Sequence, residues 1–150
     1  KSVFNGFLIQ DKDIKKDEVK NFKIVSKIKP NNNQLKALYL GWNLVKYVKS
    51  NAIVFSNDKQ LVGVGAGQMS RIDSVKIAIN KAKENNLKLK DTIMASDAFF
   101  PFPDCVQLAA EEGVSGVIQP GGSIKDNEVI EEINKQEMFM VITNKRHFYH

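Results

Sequence analysis

The chain has 150 residues, 43% of them hydrophobic and 26% charged, which suits one domain or a large piece of a bigger one. Its net charge of +5 permits anionic ligands, whether phosphates, carboxylates or nucleic acid, without selecting among them. No apolar run approaches the roughly 18–20 residues that cross a bilayer, and the single cysteine, Cys105, excludes an internal disulfide. The lone thiol and the lack of a zinc ligand set point to a reducing, cytoplasmic setting. The opening Lys1-Ser2-Val3-Phe4 has no initiator Met and no signal-peptide pattern, so the chain is expected to begin inside a longer product.

Residues 3–10 are apolar and β-prone. A lysine-rich stretch follows (Lys12, Lys15, Lys16, Lys20, Lys23, Lys27, Lys29), interleaved with acids and read as a solvated face, with a short strand at 23–26. Pro30 to Asn33 form a loop suited to capping a helix whose stripe is Leu35, Leu38, Tyr39, Trp42 and Val45. Residues 52–55 and 61–64 read as a hairpin around the Asn57-Asp58 turn, and Gly65-Ala66-Gly67 leads into a helix over 70–85. Its stripe is Ile72, Val75, Ile79 and Ala82. Strands at 92–95, 116–118 and 138–143 then alternate with two helices. Pro103 opens the first and Gly113 ends it, and the second runs through Val129, Ile130 and Ile133. This order predicts an α/β layered fold with largely parallel strands after the hairpin.

Four unusual segments, 49–51, 65–71, 96–104 and 120–124, fall at the carboxyl ends of strands or just before a strand, and the tail around Arg146 follows the last strand as a fifth. Ligands of open α/β sheets bind beyond such ends, which predicts one composite site. Of 22 basic residues only Arg71 and Arg146 are arginine, so each is a candidate for a bidentate geometric role that Lys cannot imitate. The glycine-rich 65–71 reads either as an anion cradle at a helix start or as a tight turn, and it lacks the GK[ST] of a Walker loop. Phe99, Phe100 and Phe102 with two prolines read either as core beneath a loop or as a wall for a planar ring, with Asp104 as its polar hook. Arg146, His147 and His150 read either as an anion site or as a free tail; Phe148 and Tyr149 favour docking of that tail. A nucleic-acid-binding reading rests on charge alone, with no recognition helix or stacking surface.

Taken together, "VKSNAIV", "GVGAGQMSR", "SDAFFPFPD", "IQPGGSI" and "RHFYH", with "GFLIQDKD" and "LGWNLVKYVKSN" before them, resemble the bifunctional AICAR formyltransferase/IMP cyclohydrolase family over nearly the whole chain. The resemblance implies formyl transfer from 10-formyltetrahydrofolate to the amine of AICAR, in purine biosynthesis, by a cytoplasmic homodimer. It implies a cytidine-deaminase-like three-layer α/β/α fold. Residues 35–150 would be the second such subdomain of the formyltransferase, and 1–34 the edge of the preceding one.

By motif, Asn51, Phe99 and Arg146 correspond to AICAR-contacting positions, with Asn51 orienting polar atoms near the reacting carbon. Ser70, Arg71, Ile72, Asp104, Ser123 and Ile124 correspond to the folate side, and Asp97 to a structural residue or a support for a monovalent cation. The family's Lys-His pair and its cyclohydrolase domain have no counterpart in this chain, so the chain alone is expected to be inactive. "PDCVQ" lacks a second Cys and no H-x-E is present, which argues against zinc deamination. The alternative is a standalone phosphate-ligand binding module without catalysis.

Overall fold

The computed structural model describes residues 2–13, 17 and 22–149; Lys1, Lys15, Lys16, Lys20 and His150 lie outside the described residues. The elements are β1 (Ser2–Val3), β2 (Gly6–Phe7), β3 (Lys23–Ile24), α1 (Asn32–Val45), β4 (Ile53–Ser56), β5 (Leu61–Gly65), α2 (Arg71–Glu84), β6 (Ile93–Ser96), α3 (Asp104–Glu111), β7 (Gly116–Gln119), α4 (Asp126–Lys135) and β8 (Phe139–Ile142). β1 and β2 form a small ribbon, and the rest make one six-stranded sheet in the order β3-β8-β7-β6-β4-β5. β6, β7 and β8 are parallel, whereas β4 runs antiparallel to both β5 and β6, and β3 antiparallel to β8.

The four central strands β4, β6, β7 and β8 are buried along their whole length, so both faces of the sheet need cover. α1 covers one face, with Leu38, Trp42 and Val45 set against Val54, Ala95, Ile118 and Phe139. The other face carries α2, α3 and α4, where Val75, Ile79, Val106 and Ile133 meet Phe55, Met94, Val117 and Met140. The mixed, three-layer α/β arrangement is therefore present as the sequence suggests.

Local chemistry sets the boundaries. Asn31 and Gln34 form a reciprocal capping box at the start of α1, at 2.8 and 2.9 Å, which satisfies two otherwise unpaired N–H groups. Ser70 caps α2, and Gly113 ends α3 with φ +76, a conformation that costs other residues a steric clash. The α1 stripe differs from the one read from periodicity. Ala37 and Gly41 are buried while Tyr39 is exposed and Leu35 only half-buried. The helix lies so close to the sheet that a Cβ on Gly41 would sit 3.2 Å from Ala95 Cβ, so small residues take the contact positions. Across the sheet, Gly63 and Gly65 likewise let α2 approach β5, because a Cβ there would run into the carbonyls of Ala78 and Ser74.

The described lysines of the early cluster, Lys12, Lys23, Lys27 and Lys29, are exposed, as a solvated face requires. The β1–β2 ribbon turns Phe4, Phe7 and Ile9 outward.

Candidate functional site

Sheet register brings the five unusual segments to one edge. Ile53 pairs with both Gly65 and Ser96, so Asn51, the turn after β5 and the loop after β6 lie together. The loops after β7 and β8 leave the same edge because those strands run parallel to β6.

The floor of this edge is a polar network around a fully buried carboxylate. Asp97 accepts from Arg71 Nη1 on one oxygen and from Ser50 Oγ at 2.5 Å on the other. Arg71, itself buried, also donates to Ser96 Oγ and, through Nη2, to Asn51 Oδ1, both at 3.0 Å. Asn51 Nδ2 donates to the carbonyls of Gln68 at 2.8 Å and Met69 at 3.2 Å. The amide orientation is thereby fixed: oxygen toward the guanidinium, nitrogen toward the carbonyls. Ser74 Oγ holds the Asn51 carbonyl at 2.7 Å, and the Ser50–Asn51 peptide is cis. The guanidinium of Arg71 is thus engaged inside the protein, by Nη1 on Asp97 and Ser96 and by Nη2 on Asn51, without a two-toothed grip on the carboxylate.

Above this floor lies a cleft of about 580 Å³ lined by Asn51, Ser70, Arg71, Ile72, Phe99, Pro101, Phe102, Asp104, Arg146 and Phe148 among others. The three rings of the Phe-Pro loop divide. Phe100 is fully buried in the core, while Phe99 and Phe102 line the cleft. Asp104 stands exposed at the first turn of α3, where an acid is favourable, and accepts from Cys105 N at 2.8 Å. Burial, reinforced by the Asp104 carboxylate, pushes the Cys105 thiol well up, so it stays protonated and inert. Ser123 and Ile124 lie outside this cleft, in an adjoining hollow of about 360 Å³ that shares Phe99, Pro101 and Phe102.

The guanidinium of Arg146 lies 5.1 Å from the Phe99 ring centre and 6.0 Å from that of Phe148. Among the described residues it has no ion-pair partner. The tail that carries it is docked. His147 N donates to the Asp97 carbonyl at 2.9 Å, and Ser50 and Tyr149 exchange bonds at 2.9 and 3.1 Å. His147 departs from the anion-site reading. Its ring is buried against Trp42, 4.3 Å between centres, with Nδ1 bonded to Asp13 and Nε2 3.2 Å from Asp17. That second approach is close but lacks hydrogen-bond geometry, so Nε2 is left without a bond. Lys145 pairs with the same two carboxylates at 3.0 and 2.9 Å, and Trp42 Nε1 donates to Asp17 at 2.8 Å. Sequence reading missed this cluster because its members are up to 134 positions apart.

Burial pushes the Asp13 and Asp17 carboxyls up, but this is outweighed. Bonds from His147 and Lys145 to Asp13, and from Lys145 and Trp42 to Asp17, together with the nearby positive charge, hold both below the usual value of 3.8. Burial works against the Lys145 ammonium too, yet its bonds to Asp17 and Asp13 raise it above 10.5. Depressed carboxyls contribute stability that is complete above the unfolded-state value and lost as pH falls through the folded one. The raised Lys145 contributes below 10.5 and loses its contribution as pH rises through its higher folded value. Trp42 is the only tryptophan, so its emission should stay constant near neutrality and shift to the red only as the pH drops below about 3.8. A shift already complete at pH 5 would contradict this arrangement.

The fold belongs to the deaminase-like α/β class. A diaminohydroxyphosphoribosylaminopyrimidine deaminase/5-amino-6-(5-phosphoribosylamino)uracil reductase from Thermotoga maritima matches 73% of this chain and 37% of its own, at TM-score 0.50 and 15% identity. Acinetobacter baumannii RibD matches 73% and 36%, at TM-score 0.50 and 12% identity. At such identities the likeness is one of fold alone.

The chain belongs to the AICARFT/IMPCHase bienzyme family, whose sequence profile matches residues 1–81. Its relatives include the bifunctional purine biosynthesis protein PurH of Pediococcus pentosaceus (46% identical), Staphylococcus carnosus (50%) and Limosilactobacillus reuteri (48%). Each alignment covers 99% of this chain but only 29–30% of the relative, so the chain spans just under a third of their length.

Proposed function

We propose that this chain is the C-terminal part of an AICAR formyltransferase and that its cleft binds AICAR, with folate held beside it. The observation that carries the reading is Arg146, a guanidinium without an ion-pair partner among the described residues, over an aromatic-walled cleft whose floor fixes the Asn51 amide. Arg146 binds the nucleotide phosphate, where a planar bidentate donor is most effective. Phe99 lies against the base, and Asn51 borders the reacting groups. On the folate side, Asp104 accepts from pterin N–H groups, and Ser70 and Ile72 contribute at the start of α2. Ser123 and Ile124 extend this side into the adjoining hollow. Arg71, which lines the cleft, contributes to the folate side and also holds Asn51 in place. Asp97 is the anchor beneath both; a monovalent cation would have to share a carboxylate already bonded to Arg71 and Ser50.

These residues would act by positioning and charge complementarity, bringing the AICAR amine to the formyl carbon of 10-formyltetrahydrofolate. On this reading residues 1–34 lead in from the edge of a preceding subdomain, with β3 and the start of α1 already part of this sheet and its helix layer, and the outward Phe4, Phe7 and Ile9 pack on the remainder of the longer protein or on the second subunit of a cytoplasmic homodimer. The Lys-His pair that assists proton removal lies upstream, so this chain alone binds without turnover. In the full-length enzyme Arg146→Lys should weaken AICAR affinity about tenfold, from loss of a bidentate charged contact, and leave folate affinity unchanged. Calorimetry with each ligand checks this, and equal losses for both would overturn the assignment.

A further inference from the structure

We infer that Asp13 and Asp17 are positioning residues for Arg146, forming with Trp42 a clasp that grips Lys145 and His147 and so aims the residue between them over the cleft. The inference rests on the reading of Arg146 as the phosphate-binding residue. The two flanking side chains and Arg146 go opposite ways. Lys145 and His147 both reach the Asp13–Asp17 pair, and His147 is wholly buried against Trp42. Arg146 projects outward onto Phe99 and Phe148. The segment around it belongs to no helix or strand, so no ladder of backbone bonds fixes its direction.

What does fix it is the clasp below, the His147 N bond to Asp97 and the Tyr149 bonds to Ser50. With Lys145 and His147 both held on the Asp13–Asp17 side, the side chain between them is left with the cleft side, where Arg146 meets Phe99 and Phe148. An arginine has much rotamer freedom to lose on binding, and a backbone fixed in advance lowers that cost. Two remote residues, Asp13 and Asp17, therefore set how well the cleft holds a phosphate.

The test uses this chain with Asp13→Asn/Asp17→Asn, and separately Lys145→Met, which removes the pairs from the tail side should the first variant fold poorly. Amide exchange of residues 145–149 is expected to accelerate tenfold or more in either variant while β6 and β7 keep their protection. Asp13→Glu, which retains the charge, should stay within about threefold of the parent. In calorimetry AICAR affinity should fall at least fivefold, and affinity for its dephosphorylated nucleoside should not change.

Unchanged tail exchange would overturn the clasp. A faster tail with equal losses for nucleotide and nucleoside would overturn its link to Arg146. Failure of the parent chain to prefer nucleotide over nucleoside would instead overturn the reading of Arg146, and tail exchange would still decide the clasp.

Discussion

Arg71→Leu should destabilise the chain by about 3–5 kcal/mol, the usual cost of removing one partner from a buried ion pair. The Asp97 side chain is 0% exposed and that of Arg71 7%, so water cannot replace the lost guanidinium. The carboxylate would keep only the Ser50 hydroxyl, Ser96 would lose a donor, and Asn51 Oδ1 would be left without its partner. Domains of this size hold about 5–15 kcal/mol in all, so the variant would be at or near the edge of folding. Urea melts followed by far-UV dichroism read the difference. The double variant Arg71→Leu/Asp97→Asn should recover part of the loss, because the uncompensated charge is gone. A single-variant cost under about 1 kcal/mol would mean that the network is not the structural floor of the cleft.

Trp42→Ala should cost a similar amount, about 3–5 kcal/mol, but by creating a cavity rather than stranding a charge. The indole is fully buried, meets Phe22 edge-on at 6.1 Å and covers the His147 ring. It also supplies the N–H that satisfies Asp17, so its removal opens the core beneath α1 and loosens the tail at once. Trp42→Phe separates the two effects: most of the packing is kept and the lost hydrogen bond costs about 1 kcal/mol. Thermal melts of both variants check the pair. Equal losses would show that the hydrogen bond, rather than the ring's volume, dominates.

Much of this molecule can be read from its sequence because its elements are punctuated by residues with narrow conformational uses. Pro103 and Gly113 bracket α3, Asn57-Asp58 turns the hairpin, and Asn31 with Gln34 caps α1. The gathering of the glycine- and proline-rich segments at one sheet edge was legible for the same reason: they follow strands that the register aligns. Packing was less legible. The α1 stripe counts apolar residues, but a helix pressed close to a sheet selects small ones, so Ala37 and Gly41 displace Tyr39.

The three rings of the Phe-Pro loop are alike in sequence, and only the fold sends Phe100 inward and Phe99 and Phe102 to the cleft. The inward turn of His147 and its union with Asp13 and Asp17 left no sequence signal. An Asp-Lys-rich stretch has the composition of a solvated surface whether or not a distant tail uses it. Arg71 and Arg146 stood out together as rare arginines, yet one is bonded into the floor and the other faces the cleft.

On the proposed function, this chain forms a nucleotide-binding cleft centred on Arg146. Calorimetric titration of the chain with AICAR and with its dephosphorylated nucleoside, each repeated on Arg146→Ala, tests it most directly. The parent chain is expected to bind the nucleotide at least tenfold more tightly than the nucleoside, and Arg146→Ala to erase this difference without weakening the nucleoside, as loss of a charge-assisted contact to phosphate requires. A nucleotide preference that survives Arg146→Ala would place the phosphate elsewhere and contradict it.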